Sequence, residues 1–572
     1  MTPHALAGRA GNPVGEKLDA LGVTRGSRAL TSAWGSRTHA FNRPDPGPQS
    51  MNELFLFADR RSAPAFWLGT LLVVIGVLLH MPMFVMARSM HYQLAGMPMG
   101  GGMLWGMGLI IGGAAAALYG LRPKDASPEA TRTHERIVAP EDAPLTAWHW
   151  AAGVALAMAL VVDTMKISSL GFVIPGMRVE YGISPAGVAL LPLSALSGAT
   201  VGSFIWGALA DHYGRRATIL LSGVMFIGTS ICGAMPSFHW NLLMCFLMGG
   251  SAGGMLPVAY ALLAEIMPTR HRGWSLVLIG GAGTLGGYLT ASGMSALLQP
   301  EFGWRIMWFL NLPSGLLLIA LSPLIPESAR FLIHIGRPQE ARATLARFGS
   351  VVVKRTDDWD EEAKLDHSHL PPTDTRYLGT TIALSITALA WGFLSYGVLL
   401  WLPGELIAEG HDMGVAAAII ARSTFISAPV IVLAALLYSR WSTKGSLLVM
   451  SSICALGLLA VVLRQSGVQA ATDPVIALTL LIVGSTGVIS ILLPYTAESY
   501  PLRIRGRATG WVAGVSKSGG LVCQGLGSLA LVPVIGTAAL VTAVPVLLGL
   551  ALLALYGRET RGRDLRALEG VG

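Results

Sequence analysis

Charge is scarce in this sequence. Only 13% of its 572 residues are Asp, Glu, Lys or Arg, about half the share found in a soluble domain. Cysteine is scarce as well. Cys232, Cys245, Cys454 and Cys523 all lie inside apolar runs at unrelated spacings, which argues against a disulfide framework and a zinc site. The chain has no His-Glu-x-x-His, no P-loop and no catalytic Cys/His arrangement, so neither ATP-driven work nor enzymatic chemistry is supported and no cofactor is implied. Two apparent motifs fail on context. "GGSAG" (249–253) and "GAGTLG" (281–286) fit hydrolase and dinucleotide patterns, but those patterns need a strand running into a helix, and both stretches sit within apolar spans. They read as packing glycines. Residues 1–60 are polar, rich in Gly, Pro, Ser and Arg, and hold no signal-peptide core. They read as a disordered cytoplasmic tail, with Met51 as an alternative start.

What the chain does have is apolar length. Hydrophobic residues make up 53%, mean hydropathy is +0.58, and runs of about twenty residues, enough to cross a bilayer core, recur throughout. The expected fold is all-α and polytopic. Two spans come first, at about 65–87 and 103–121. Twelve more follow, at about 149–175, 187–210, 217–235, 241–266, 274–298, 304–325, 377–402, 414–438, 446–464, 474–497, 508–531 and 535–556. The domains expected are a tail (1–60), an extra two-helix hairpin rich in methionine (61–125), a linker (126–146), a six-helix half (147–325), a middle loop (326–376), a second six-helix half (377–558) and a short tail (559–572).

The net charge of +8 does not imply nucleic acid, because the basic residues are dispersed over short loops. Arg215/Arg216, Arg270/Arg272, Arg440/Lys444 and Arg503/Arg505/Arg507 share one side with the Arg-rich middle loop, whereas the opposite loops hold little beyond Arg88, Arg178, Arg305 and Arg464. Positive loops face the cytoplasm, which places both termini there. The Ala/Gly/Arg-rich composition reads as bacterial and the membrane as the inner one. The bilayer is the expected partner, and a monomer the expected state.

An internal repeat organises the core. "AEIMPTRHRG" (264–273) and "AESYPLRIRG" (497–506) align at an offset of 233 residues, and the same offset maps Gly281, Gly286 and Gly287 onto Gly514, Gly519 and Gly520. Such duplication marks an alternating-access transporter that binds its substrate between the halves.

These motifs also carry a family resemblance. "GALADHYGRRATIL" (207–220) resembles the loop between the second and third helices of the major facilitator superfamily, with Gly207, Asp211, Gly214, Arg215 and Arg216 at its characteristic positions. The Glu-x-x-Pro-x-x-x-Arg-Gly pair, "GWRIMWF" (303–309) and "PESARFLIHIGR" (326–337) narrow this to the branch of sugar porters, aromatic-acid:proton symporters, nicotinate-type carriers and synaptic-vesicle-like proteins. The resemblance covers about 149–560 and leaves out the first two spans. It implies that Asp211, Arg215 and Arg216, with Glu265 paired to Arg272 and Glu498 to Arg505, form charge latches on the cytoplasmic side. The second copy of the charged loop, "YSRWSTKGS", lacks the aspartate, and "GGAGTLGGYL" lacks the antiporter Gly-Pro.

Four charges lie within the core spans: Asp163, Lys166, Arg422 and Lys517. Each costs roughly 2.5–3.5 kcal/mol at a helix centre, which points to function. Asp163 and Lys166, three residues apart, share a helix face and partly neutralise one another. The repeat sets Lys517 against Thr284 and Trp391 against Asp163. A midplane cavity with one carboxylate, up to three cations and aromatics such as Trp391 and Tyr396 suits a flat organic anion. Asp163 is then the proton carrier, although Lys166 stands where the aromatic-acid symporters have a second acid. The expected activity is proton-coupled import of a small organic anion. Two alternatives stay open: sugar or drug transport on the same fold, and copper handling by the added hairpin. That hairpin's "HMPMFVMARSMHYQLAGMPMGGGMLWGM" offers His80, Met86, Met90 and His91, and thioether sulfur suits Cu(I), though Met is equally an ordinary packing residue.

Overall fold

The long apolar runs become long helices. The structure, a computed structural model, describes residues 62–123, 135–138, 144–349, 351–354, 375–466, 473–500, 502–530 and 535–561. The tail expected at 1–60 lies outside these, as do much of the linker and middle loop and most of the carboxyl-terminal tail.

Among the described residues, thirteen helices are long and apolar enough to cross a membrane. The added pair is α1 (Ser62–Met90) and α2 (Gly101–Gly120). The first half holds α3 (Ala147–Tyr181), α4 (Pro185–Tyr213), α5 (Arg215–Ala234), α6 (Phe238–Ile266), α7 (Arg270–Phe302) and α8 (Ile306–Leu324). Two short helices, α9 (Ala329–His334) and α10 (Pro338–Arg347), begin the middle loop. The second half follows as α11 (Tyr377–Ala408), α12 (Met413–Arg440), α13 (Thr443–Gln465), α14 (Pro474–Ser499), α15 (Leu502–Ser528) and α16 (Ile535–Tyr556). α15 stands where the fourteenth span is expected but is not among the thirteen. It is long enough to cross, but Arg503, Arg505, Arg507 and Lys517 make it the least apolar. The all-α expectation therefore holds with one small addition. A two-stranded antiparallel ladder, β1 (Glu135–Val138) on β2 (Val351–Lys354), ties the linker to the middle loop in the register Glu135 to Lys354.

Close approach of helices in a membrane needs small residues, because lipid is as apolar as the protein interior. The hairpin is built this way. Gly69 and Gly76 of α1 face Gly113 and Gly106 of α2, Gly120 lies against the Ser62 and Phe66 backbone, and a Cβ at Gly113 would lie 2.5 Å from the Gly69 carbonyl oxygen. Gly113→Leu forces the two helices apart at a cost of about 1–3 kcal/mol. The expected result is a lower unfolding temperature and faster proteolysis between α1 and α2, both readable on purified protein in detergent.

The hairpin belongs to the first half. Ile110 and Val73 pack where Gly228 of α5 leaves room, and Phe84 meets Phe309 with ring centroids 4.9 Å apart. Its connecting loop is anchored by Glu180, at the end of α3, which accepts from the backbone N–H groups of Leu94 (2.7 Å) and Ala95 (3.0 Å). The same carboxylate accepts from Trp304 Nε1 (2.8 Å) and pairs with the fully buried Arg305 at 2.6 Å. The rest of the Arg305 fork donates to the carbonyls of Gly233 and Met235 and to the Tyr181 hydroxyl. Every donor direction of that guanidinium is used, which is what makes a buried arginine tolerable. The "GWR" stretch thus staples the hairpin to the core.

Candidate functional site

A cavity of about 430 Å³ lies between the two halves, within the range of small-molecule sites. α3, α4 and α7 contribute Asp163, Ser203 and Tyr288, and α11, α14 and α15 contribute Trp391, Tyr396, Ser485 and Lys517. Pro257, Leu493 and Gly510 extend it toward the arginine-rich face. The other end is shut. The Tyr288 hydroxyl donates to the Leu399 carbonyl at 3.3 Å, and the Leu400 carbonyl fills the notch left by Gly171.

Four of the six sequence candidates converge here: Asp163, Trp391, Tyr396 and Lys517. The Asp163 side chain is buried, and its Oδ1 has no hydrogen-bond partner among the described residues. Trp391 is fixed by donation from Nε1 to the Ser485 carbonyl at 3.1 Å, and it meets Tyr396 edge-on with centroids 5.8 Å apart. Tyr396 sits on a π-helical stretch, Phe393–Leu399, a local unwinding frequent at functional sites. The pseudo-symmetric position of Lys517, Thr284, lines the cavity too.

Lys517 does more than line the wall. From the second half its ammonium reaches into the first, donating to the Gly253 carbonyl (2.9 Å), the Ala199 carbonyl (3.4 Å) and the Ser203 hydroxyl. Sequence explains why an acceptor is available there. α6 breaks at Gly253 and Gly254, and Pro257 has no N–H to offer the Gly253 carbonyl four residues earlier. A carbonyl freed inside a membrane must find another donor, and the Ser203 hydroxyl (2.8 Å) and Lys517 both supply one.

Lys166 and Arg422 do not join them. Lys166 is 1% exposed, and its Nζ lies 2.9 Å from the centroid of the Phe226 ring, inside the first half. It has no hydrogen-bond partner among the described residues and forms no ion pair with Asp163. The expected mutual neutralisation is replaced by a cation–π contact, which is worth about 2 kcal/mol when desolvated. Arg422 is exposed on the outer surface of α12, on the face that carries Val415, Phe425 and Ile426. A long side chain there reaches along the helix toward the interface.

The residues expected as latches gather at the arginine-rich ends. Arg215 pairs with Glu265 at 2.8 Å, whereas Arg272 donates to the Met267 carbonyl at 3.4 Å. Asp211 is exposed, and Gly207 has open space where a Cβ would be. Gly214 is needed for two reasons: its φ is +95°, and a Cβ there would come within 2.5 Å of Glu327. Glu327, missed from sequence, caps α5 by accepting from the backbone N–H groups of Arg215 (2.7 Å) and Arg216 (3.2 Å), where a carboxylate also complements the helix dipole. Burial pushes its carboxyl above the ordinary range, against the pull of the Ser328, Arg215 and Arg216 N–H groups and the Arg216 charge.

The second half repeats the device. Glu559 caps α13 through the Thr443 N–H (3.0 Å), the Thr443 hydroxyl (2.6 Å) and the Ser442 hydroxyl. Ser328 donates to Glu265, and Thr560 correspondingly donates to Glu498, which also accepts from Tyr438. The Arg505 side chain lies outside the described residues. Burial pushes the Glu559 carboxyl up, but the hydrogen bonds from Ser442, Thr443 and Arg561 outweigh it and hold the group at about 2. A carboxyl depressed from its ordinary 4.5 contributes stability above that value and loses it as pH falls toward the folded one. The stability difference between the native chain and Glu559→Gln is therefore expected to be full at pH 6 and to shrink between pH 4.5 and about 2. Thermal unfolding across that range reads it.

In the hairpin, His80 is buried with Nδ1 on the Gly76 carbonyl at 2.8 Å, whereas His91, Met86 and Met90 are exposed. Among the described residues, no three His, Cys, Asp or Glu gather as a metal-binding group.

The profile of the Major Facilitator Superfamily matches residues 156–523. Among curated proteins, the chain is similar to the niacin transporter NiaP of Acinetobacter baylyi, with 25% identity over 75% of this chain and 98% of that one. It is also similar to the 4-hydroxybenzoate transporter PcaK of the same organism (25%; 68% and 86%) and to a gallate transporter of Pseudomonas putida (26%; 67% and 85%). Among solved structures, the partially occluded inward-open xylose transporter XylE from E. coli superimposes with a TM-score of 0.60 at 15% identity, over 73% of this chain and all of that one. This likeness shows the fold.

Proposed function

Starting from a chain that belongs to the Major Facilitator Superfamily and is a multi-pass membrane transporter, we propose that it imports a small aromatic carboxylate together with a proton. The observation that carries this reading is the pairing inside the cavity. One half contributes a carboxylate with an unsatisfied oxygen, Asp163, and the other contributes an ammonium, Lys517, held only by neutral acceptors. The apolar wall bearing Trp391, Tyr396 and Tyr288 suits a flat ring, and the transporters of niacin, 4-hydroxybenzoate and gallate among its relatives support the class.

The chemistry follows from competition for Lys517. An incoming carboxylate is a stronger acceptor than a carbonyl or a hydroxyl, since charge-assisted hydrogen bonds are roughly twice as strong. It draws the ammonium off Gly253, Ala199 and Ser203 and so releases a tie between the halves. Asp163 takes the proton. An unpaired carboxylate at bilayer depth is costly, so proton and anion together leave the cavity neutral in sum and let it cross between its two openings. The arginine-rich face is the cytoplasmic one in this reading, and the membrane the bacterial inner membrane.

Uptake into proteoliposomes under an imposed inward proton gradient tests it, with labelled nicotinate, 4-hydroxybenzoate and a hexose offered side by side. Gradient-driven accumulation of an acid is the expected result. Accumulation of the hexose alone overturns the reading.

A further inference from the structure

The face opposite the arginine-rich one holds a second and larger hollow, of about 840 Å³. Three parts of the chain that are remote in sequence line it. The end of α3 and the turn after α7 supply Pro175, Glu180, Gln299 and Trp304; the start of α12 supplies His411 and Asp412; the added hairpin supplies His91, Tyr92 and Gln93. The hairpin is therefore more than a lipid-facing appendage, because its loop is one wall of a space between the halves.

The loop is held in place at some cost. His91 and Tyr92 both have left-handed backbones, with φ of 52° and 59°, a conformation disfavoured for side chains with a Cβ. The Tyr92 ring stacks on Phe84 at 4.7 Å, and Glu180 fixes the next two residues, Leu94 and Ala95, by their N–H groups. Together these hold exposed His91 and Gln93 in the wall of the hollow that His411 of the second half also lines. Each histidine carries a ring N–H donor in either charge state, and Gln adds an amide donor. Glu180 is saturated by five donors from Leu94, Ala95, Trp304 and Arg305. Among the described lining residues this leaves Asp412 as the one carboxylate not engaged. It stands at the amino terminus of α12 without a side-chain cap bond, where the helix dipole offsets its charge.

We propose that this hollow is an outer binding site for the transported carboxylate, built by the hairpin loop and selected by His91, Gln93 and His411. It rests on the reading of the central cavity as an organic-anion site. A donor ring at the mouth collects the anion while the path inward is still shut at Leu399 and Leu400. Because His91 moves with the first half and His411 with the second, opening this face separates the donors and frees the ligand to descend. The added helices thus supply a selectivity step ahead of the translocation site.

The test is equilibrium binding of labelled nicotinate and 4-hydroxybenzoate to the full chain in nanodiscs, beside uptake kinetics. Two equivalents are expected on the native protein. Lys517→Met should keep one of them. The double variant His91→Ala/His411→Ala should keep the other, with KM for uptake raised several-fold and kcat nearly unchanged, and Asp412→Asn should tighten the outer site. Both altered histidines are accessible rather than core residues, and Gln93→Ala gives an independent weakening of the same site. A single equivalent, abolished by Lys517→Met and indifferent to the histidines, overturns this inference and leaves the central site standing. No binding of either acid overturns both.

Discussion

Asp163→Asn is expected to reduce gradient-driven acid uptake to the level of empty liposomes while leaving exchange of labelled for unlabelled acid largely intact. The side chains are nearly isosteric, so packing in α3 is preserved and only the ability to take up and release a proton is lost. Net transport needs the unloaded carrier to return, and in the proposed cycle it does so after Asp163 gives up its proton on the arginine-rich side. An amide, permanently neutral, cannot pass through that step, whereas exchange never requires it. The pair of assays separates a proton carrier from a structural acid. Loss of both activities would mean that Asp163 holds the bundle together, and retention of both would remove it from the mechanism.

Replacing Lys517 is expected to have the second largest effect. Lys517→Met keeps the length and removes the charge. It deprives an incoming carboxylate of its cation, and a hydrogen bond to a charged group contributes about 1.5–3 kcal/mol, so affinity at the central site should fall about 10- to 100-fold. It also removes the ammonium that ties α15 to Gly253 across the halves, leaving that carbonyl to the Ser203 hydroxyl alone, so a looser grip between the halves should accompany the affinity loss. Lys517→Arg tests geometry against charge. A planar guanidinium is larger and forks, and it fits poorly among Ala199, Ser203 and Gly253, so partial recovery of binding with slow turnover is the expected outcome. The affinity is read by titrating labelled acid, and the coupling by the ratio of exchange to net uptake.

Sequence reading and structure agree where the relevant signal is chemical and diverge where it is geometric. A charge inside an apolar run is visible at once, so Asp163, Lys166, Arg422 and Lys517 could all be singled out. Which way each one points was not legible. In a soluble helix the polar face betrays the solvent side, but in a membrane both lipid and protein interior are apolar, and α3 and α12 carry no hydrophobic asymmetry from which to orient Lys166 or Arg422. The helix boundaries were legible because hydropathy changes sharply at the loops; for the same reason the span expected at 508–531 began short of the arginines that open α15 at Leu502. The caps were missed for the converse reason. Glu327 and Glu559 sit in polar surroundings where a carboxylate is unremarked, and their partners at Arg215 and Thr443 are more than a hundred residues away. A signal did exist: "PES" and "RET" each put Glu before a hydroxyl residue at nearly the repeat spacing. Glu180 and Arg305 escaped in the same way, one at a helix end and the other inside a motif valued for its family resemblance.

The glycine-packed hairpin also bears on the mechanics of the proposed cycle. Fastened by α5, Phe309 and Glu180, it makes one side of the rocking pair an eight-helix body and leaves the other with six. Trp105, Ile111 and Tyr119 are exposed on the hairpin, widening the perimeter that one body presents to lipid. A body with more perimeter drags more bilayer when it turns, so viscous resistance falls unequally on the two. On the proposed cycle the six-helix body is expected to sweep the larger arc, with the eight-helix body as the keel.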